Sequence, residues 1–141
     1  MYAGDSVSAG EWIRRGFDRD PEDQIAQGVL AEWEARYGDK RRARELLATA
    51  EPGAGADGAF TYWIAKIYAA LGEPASAVGW LERAEALGYW NAPWLVKDPT
   101  LDSLRGYEPF EACLASVREK HEAFAARVRS DPEAARLLAS L

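Results

Sequence analysis

The apolar positions of this chain form a pattern that occurs twice, 34 residues apart. Leu30-Ala31, Ala35, Ala43, Leu47 and Ala50 in the first stretch correspond to Ile64-Ala65, Ala69, Ala77, Leu81 and Ala84 in the second, and Tyr37-Gly38-Asp39 corresponds to Leu71-Gly72-Glu73. One period earlier, Gly4-Asp5, Ala9, Ile13 and Gly16 fall where Gly38-Asp39, Ala43, Leu47 and Ala50 do. A fixed period of this length is the mark of stacked helical hairpins. The residue types fit such packing. Two helices approach closely where one presents a small side chain to the other's large one, so alanines matched to Leu30, Leu47, Ile64, Tyr68 and Leu81 fill the space at native density.

Punctuation along the chain places the elements. Asp20-Pro21, Asp98-Pro99 and Asp131-Pro132 each set a capping acid before a proline whose φ already suits a helix start. Gly38 and Gly72 stand where a helix must stop and reverse, and the expectation is a positive φ at both. The pattern predicts helices over about 6–17, 21–37, 40–50, 58–71 and 74–88, short turns between 92 and 105, a long helix over about 109–129 and a last one over about 132–140. The Gly/Pro-rich stretch from Glu51 to Asp57 reads as a loop joining one hairpin to the next. No segment shows a strand pattern; the Trp/Tyr/Val stretch at 89–96 is short and broken by Asn91 and Pro93. On the long helix, Phe110, Leu114, Val117, His121, Phe124 and Val128 make one stripe, expected to be buried against the last repeat.

Composition narrows the function classes. The 141 residues suit one domain, and six Trp, six Tyr and four Phe supply ample bulk for its core. A net charge of −6 argues against nucleic acid as a partner, whose phosphates call for clustered Lys and Arg. The one basic run, Lys40-Arg41-Arg42 with Arg44, reads as the solvated face of a helix. No segment has the roughly 18 apolar residues of a membrane span, and Met1 to Trp12 lacks the apolar core of a signal peptide. The resulting expectation is a cytoplasmic chain, unless a parent protein carries an export or transmembrane segment upstream.

Candidate chemistry is sparse. His121 is the sole histidine, so neither a histidine cluster for zinc nor a triad drawing on two histidines can be assembled. Cys113 lies eight residues before it on the same expected helix, out of reach of a thiolate–imidazole pair. No carboxylates recur as a paired acid and base, and Gly53-Ala54-Gly55 lacks the Lys-Ser/Thr of a phosphate loop. The expectation is no catalytic residue, no metal and no cofactor. The aromatic group Tyr89, Trp90, Trp94, Tyr107 and Phe110 reads either as a seal between the last hairpin and the long helix or as a functional surface, the lining of a small-molecule pocket or a partner's hot spot.

Residues 24–57 and 58–91 resemble two complete repeats of the tetratricopeptide (TPR) family, and residues 4–17 resemble the second helix of a preceding one. Ile64-Ala65, Tyr68, Gly72, Ala77, Leu81 and Ala84 occupy signature positions, while Glu34 stands where the family has an aromatic residue, and Gly55 and Tyr89 where it has a closing proline. The segment from Gly88 to Phe110 is similar to the closing segment of bacterial TPR proteins, among them arrays attached to Ser/Thr kinases, adenylate-cyclase-like proteins and winged-helix regulators. The resemblance implies an all-α fold, a right-handed α-α superhelix of TPR-like hairpins closed by a helical cap over 92–141. It implies a protein-interaction scaffold that holds a peptide or protein segment on a concave face lined by the first helix of each hairpin. On this chain that groove would comprise Gly28, Glu32 and Ala35, then Tyr62, Lys66 and Ala69. Glu32 and Lys66 would select charge there or simply pair with each other. Asn91 is the sole asparagine, which argues against a clamp for chaperone tails. Alternative readings are a structural or dimerising segment of a larger regulator and, more weakly, small-molecule binding at the aromatic group. Residues 4–17 are expected to continue a longer array or else to fold back as a cap. If half a hairpin stands open there, Trp12, Ile13 and Phe17 offer a homodimer surface.

Overall fold

The computed structural model describes residues 6–138, all helical or in the turns between helices. Gly4 and Asp5 of the expected first segment, and residues 139 and 140 of the expected last helix, lie outside the described residues. The helices are α1 (Ser6–Arg19), α2 (Gln24–Tyr37), α3 (Lys40–Ala50), α4 (Gly58–Leu71), α5 (Pro74–Ala86), α6 (Ala92–Lys97), α7 (Glu108–Ser130) and α8 (Pro132–Leu138), with 3-10 helices at Glu51–Ala56 and Pro99–Leu104. No strand occurs among the described residues.

The period seen in the sequence is the period of the elements. α2 and α4 begin at residues 24 and 58, and α3 and α5 at residues 40 and 74, so both pairs are offset by 34. Burial repeats with the same offset. Gln27, Gly28, Leu30, Ala31, Trp33 and Ala35 are buried in α2, and Thr61, Tyr62, Ile64, Ala65, Ile67 and Ala69 in α4. The buried Ala43, Leu47 and Ala50 of α3 likewise match Ala77, Leu81 and Ala84 of α5. Each hairpin closes because alanines with no exposed surface, such as Ala43 and Ala77, let two helix backbones meet.

The period also carries into the third unit, beyond where the side-chain pattern stops. α6 and the 99–104 helix together span the place of the next first helix, and α7 begins at residue 108, 34 after Pro74. Pro99 breaks that helix in two, because it has no N–H and follows Asp98 in extended conformation (φ −68°, ψ 110°). Gly106 takes the left-handed φ of +80° that Gly72 takes one period earlier. Packing is not repeated there: α7 buries Phe110, Cys113, Leu114 and Val117, which align with Ser76, Gly79, Trp80 and Arg83. α7 is thus turned about its axis relative to α5. The expected stripe on α7 is buried only as far as Val117. His121 and Val128 are half-buried, and Phe124 is 46% exposed.

Local chemistry corrects three further expectations. Asp20-Pro21 does not start α2. Pro21 stays in the preceding turn, its carbonyl accepting from Gln27 Nε2 at 2.7 Å, and Asp23 caps the helix by accepting from the Ile25 N–H at 2.8 Å. Gly38 has φ −130°, not a positive value. Its lack of a side chain serves close approach: the Glu34 carboxylate accepts from the Asp39 N–H at 2.8 Å, and a Cβ on Gly38 would collide with that carboxylate. Glu34, which departs from the aromatic expected of the family, is therefore a buried cap for the turn. Finally, the 51–57 stretch is not open loop. Residues Glu51–Ala56 form a 3-10 helix whose Ala54 is buried, and its carbonyl accepts from Thr61 Oγ1 at 2.6 Å.

Two apolar clusters share the interior. Ala31, Ala35, Leu47, Ile64, Ile67 and Leu71 form one. Tyr62, Leu81, Leu95, Leu101, Leu104, Phe110, Leu114 and Val117 belong to the other. Tyr68 and Trp80 touch both, so the first hairpin and the C-terminal segment are joined through the second hairpin.

Candidate functional site

α2 packs beside α4, and the 99–104 helix packs against α4. Asp98 holds it there. Its carboxylate accepts the Tyr62 hydroxyl from α4 and the Thr100 N–H at 2.9 Å, and the whole residue is buried. Burial alone would push that carboxyl up, but the hydrogen bonds from Tyr62 and Thr100 and the nearby Lys66 charge outweigh it and hold it below the ordinary range. The same burial, with Asp98 beside it, pushes the Tyr62 hydroxyl above its ordinary value. Arg105 completes the clasp by donating to the carbonyls of Leu95 and Val96 at 3.1 and 2.9 Å. Ser103 Oγ then reaches the Ala69 carbonyl at 3.3 Å.

Between these parts lies a groove of about 390 Å³. Ala35, Ala69 and Ala70 are its small residues; Pro99, Thr100 and Ser103 form one wall; Arg36, Tyr37 and Lys40 form the other. Tyr37 is half exposed, and Arg36 is held by Glu32, whose carboxylate accepts its Nε at 3.2 Å. Thr100 is buried on the wall, and its hydroxyl makes no hydrogen bond of good geometry, although it lies near enough to Asp98 to steady that charge.

No protein-family model, curated protein or solved structure matches the chain.

Of the six residues expected to line a concave groove, two border the hollow just described and four are engaged in contacts within the chain. Ala35 and Ala69 lie in the groove just described. Gly28 is covered by the Trp63 ring, which a Cβ there would meet at 2.8 Å. Glu32 accepts the Trp63 indole N–H at 2.6 Å and the Arg36 guanidinium, so it does not pair with Lys66. Tyr62 is 4% exposed, stacks on Tyr89 at 4.7 Å and faces Asp98. Lys66 lies 5.7 Å from the Tyr62 ring, where its charge serves the buried carboxylate. Tyr62, the aromatic residue expected in the groove, is thus spent on docking the C-terminal segment.

Sequence reasoning missed Arg36, Tyr37, Lys40, Pro99, Thr100 and Ser103. The available signal was the period: 58 and 71 advanced by 34 give 92 and 105, which sets the broken third helix beside α4. The aromatic group of the cap is mostly consumed by packing. Phe110 is fully buried, Tyr89 stacks on Tyr62, and Trp90 donates its indole N–H to the Glu85 carbonyl at 2.8 Å, whereas Trp94 is 41% exposed. His121 Nδ1 lies 2.9 Å from the Trp90 carbonyl and ties α7 to that same turn. The Cys113 thiol is pushed up to about 11 by burial, with Glu85 and Glu82 adding to the shift, and so is protonated at neutral pH. Among the described residues no helix is long and apolar enough to cross a membrane.

Proposed function

We propose that this chain is a protein-interaction module, a TPR-like array in a right-handed α-α superhelix, that takes an extended peptide segment in the groove between the ends of α2, α4 and the 99–104 helix. The observation that carries this reading is the groove itself: small residues between two polar walls, set on helix ends fixed by the core. Small residues let a peptide backbone lie close, and walls on rigid elements spare the ordering cost that weakens binding by mobile loops. A binding role rather than a catalytic one suits a chain whose lone histidine and cysteine are engaged in packing.

The test is selection of peptides from a displayed random library, followed by affinity measurement on the wild type and on Ser103→Arg, which fills the groove from its exposed wall. Selected peptides are expected to lose about tenfold or more in affinity on the variant, as when a buried contact at an interface is blocked, while its thermal unfolding stays cooperative, lowered only by loss of the Ser103–Ala69 hydrogen bond. Equal affinity for both proteins would place binding elsewhere and overturn the reading.

A second reading rests on a separate observation. At the N-terminal end Trp12 is 70% and Ile25 62% exposed, with Ile13 and Phe17 half-buried, so an apolar face stands open beside α1. Surfaces of this kind mark association, and they favour a structural or self-associating segment within a larger regulator. Sedimentation velocity over a concentration series is expected to show dimers that Trp12→Ser weakens; a monomer at all concentrations would remove this reading and leave the groove untouched.

A further inference from the structure

The groove has an uneven distribution of charge. No acidic residue lines it, although the chain as a whole carries a net charge of −6. Arg36 on its wall is already answered by Glu32 at 3.1 Å, but Lys40 is not answered. Among the described residues no carboxylate lies within ion-pair distance of Lys40, Arg41 or Arg42, whereas Arg44, one turn further along α3, is paired with Glu73 at 2.6 Å. The adjacent Asp39 is spent on the start of α3, accepting from the Arg41 N–H at 2.8 Å. An unpaired cation, Lys40, therefore stands at the wall of the groove, while Arg41 and Arg42 point to other sides of the exposed first turn of α3. The opposite wall offers the neutral Thr100 and Ser103.

We propose that the groove takes an acidic peptide segment, with a carboxylate of the peptide answered by Lys40; this rests on the reading of the groove as a peptide site. Charge complementarity decides the occupant. An acidic segment meets an unanswered cation at the wall, while a basic one meets like charge there and no acid within. A nucleic acid strand fits less well. Its affinity requires many phosphate contacts, and its bases stack on successive aromatic platforms, whereas the groove offers one unpaired cation, Lys40, and one exposed ring, Tyr37, in a chain of net charge −6.

The test uses fluorescence anisotropy with three labelled probes: a pool of short random peptides rich in Asp and Glu, the same pool with Asn and Gln in their place, and single-stranded DNA. At low salt the acidic pool is expected to bind about tenfold more tightly than the amide pool, and to weaken as salt shortens the screening length. Lys40→Glu should weaken the acidic pool by about tenfold, whereas Arg129→Glu, the same change of charge on the exposed end of α7, should alter it by less than about twofold, since exposed charges far apart are screened. Ser103→Trp, which fills the groove without adding charge, should weaken both pools. Equal binding of the two pools, lost in Ser103→Trp, would overturn the carboxylate preference while leaving the peptide site standing. Acidic binding untouched by Ser103→Trp would reduce the effect to adsorption on the Lys40–Arg42 surface and overturn the proposal. DNA binding tighter than either pool would overturn it in favour of nucleic acid. Absence of binding by all probes would overturn the peptide site together with its preference.

Discussion

A chain ending at Gly88 is expected to lose cooperative folding, whereas removal of residues 131–141 alone should be tolerated. Truncation at Gly88 strips Leu95, Leu101, Leu104, Phe110, Leu114 and Val117 from the larger cluster and leaves Tyr62, Val78 and Leu81 facing water. Burial of each such side chain is worth roughly 1.5–3 kcal/mol, against a whole-domain stability of about 5–15 kcal/mol. Polar partners go with them. Glu85, 8% exposed, loses the Ser116 hydroxyl and the Lys120 ammonium 2.9 Å away, and Tyr62 loses Asp98. Residues beyond 130 follow a stretch of α7 whose Phe124 is already 46% exposed, so their removal uncovers little. Thermal unfolding followed by far-UV circular dichroism separates the two cases. A sharp transition near the wild-type midpoint in the chain ending at Gly88 would show that the hairpins stand without their C-terminal cover.

The elements were legible because two independent signals coincide along this chain. Hairpin packing forces small and large residues into a fixed period, and acids or glycines mark the ends, so α3 and α4 carry the expected bounds. The misreadings share one cause: a residue type whose role is set by the particular side chain it meets once the chain has folded. Pro21 and Gly38 bear the usual signs of a helix start and a left-handed turn. Gln27 instead ties Pro21 into the loop, and the Glu34 carboxylate explains the glycine at 38. No local pattern distinguishes those outcomes.

The candidate site was less legible for the same reason. Tyr62 and Lys66 fall on the face of α4 that a repeat register assigns to a ligand, but Asp98, 36 residues on, occupies that face from within the chain. The register alone predicts an open groove. The burial of Asp98 closes part of it and shifts the free space toward Ala35, Ala69 and Lys40. An aspartate before a proline reads as a helix cap, and Asp98 is one, since it accepts the Thr100 N–H. Its second role, as the buried acceptor for Tyr62, is visible only once the third unit is stacked on the second.

Replacing Asp98 should therefore cost more than the loss of a cap, and the cost should depend on pH on both sides of neutrality. Asp98→Ala removes a fully buried carboxylate and leaves the Tyr62 hydroxyl without its acceptor and Lys66 without its counter-charge. Breaking a buried network from one side costs about 3–5 kcal/mol, whereas loss of a cap costs about 1 kcal/mol. With Tyr62→Phe as the second arm of a double-mutant cycle, the coupling between the two should lie at about 1–3 kcal/mol. The Asp98 carboxyl is held below its ordinary value, so its contribution is full above the unfolded value near 4 and is lost as pH falls through the lower folded one. The Tyr62 hydroxyl is raised, so its contribution is full below about 10 and is lost as pH rises past that point. Asp98→Asn keeps the size and an acceptor but removes the charge. It should flatten the acid limb of the stability curve and soften the alkaline limb, where burial of Tyr62 still acts. Denaturant midpoints measured across pH on the wild type and Asp98→Asn decide the matter. Parallel curves would mean that the clasp over α4 is held by Leu95, Leu101 and Leu104 alone, with Asp98 reduced to the cap that the sequence suggests.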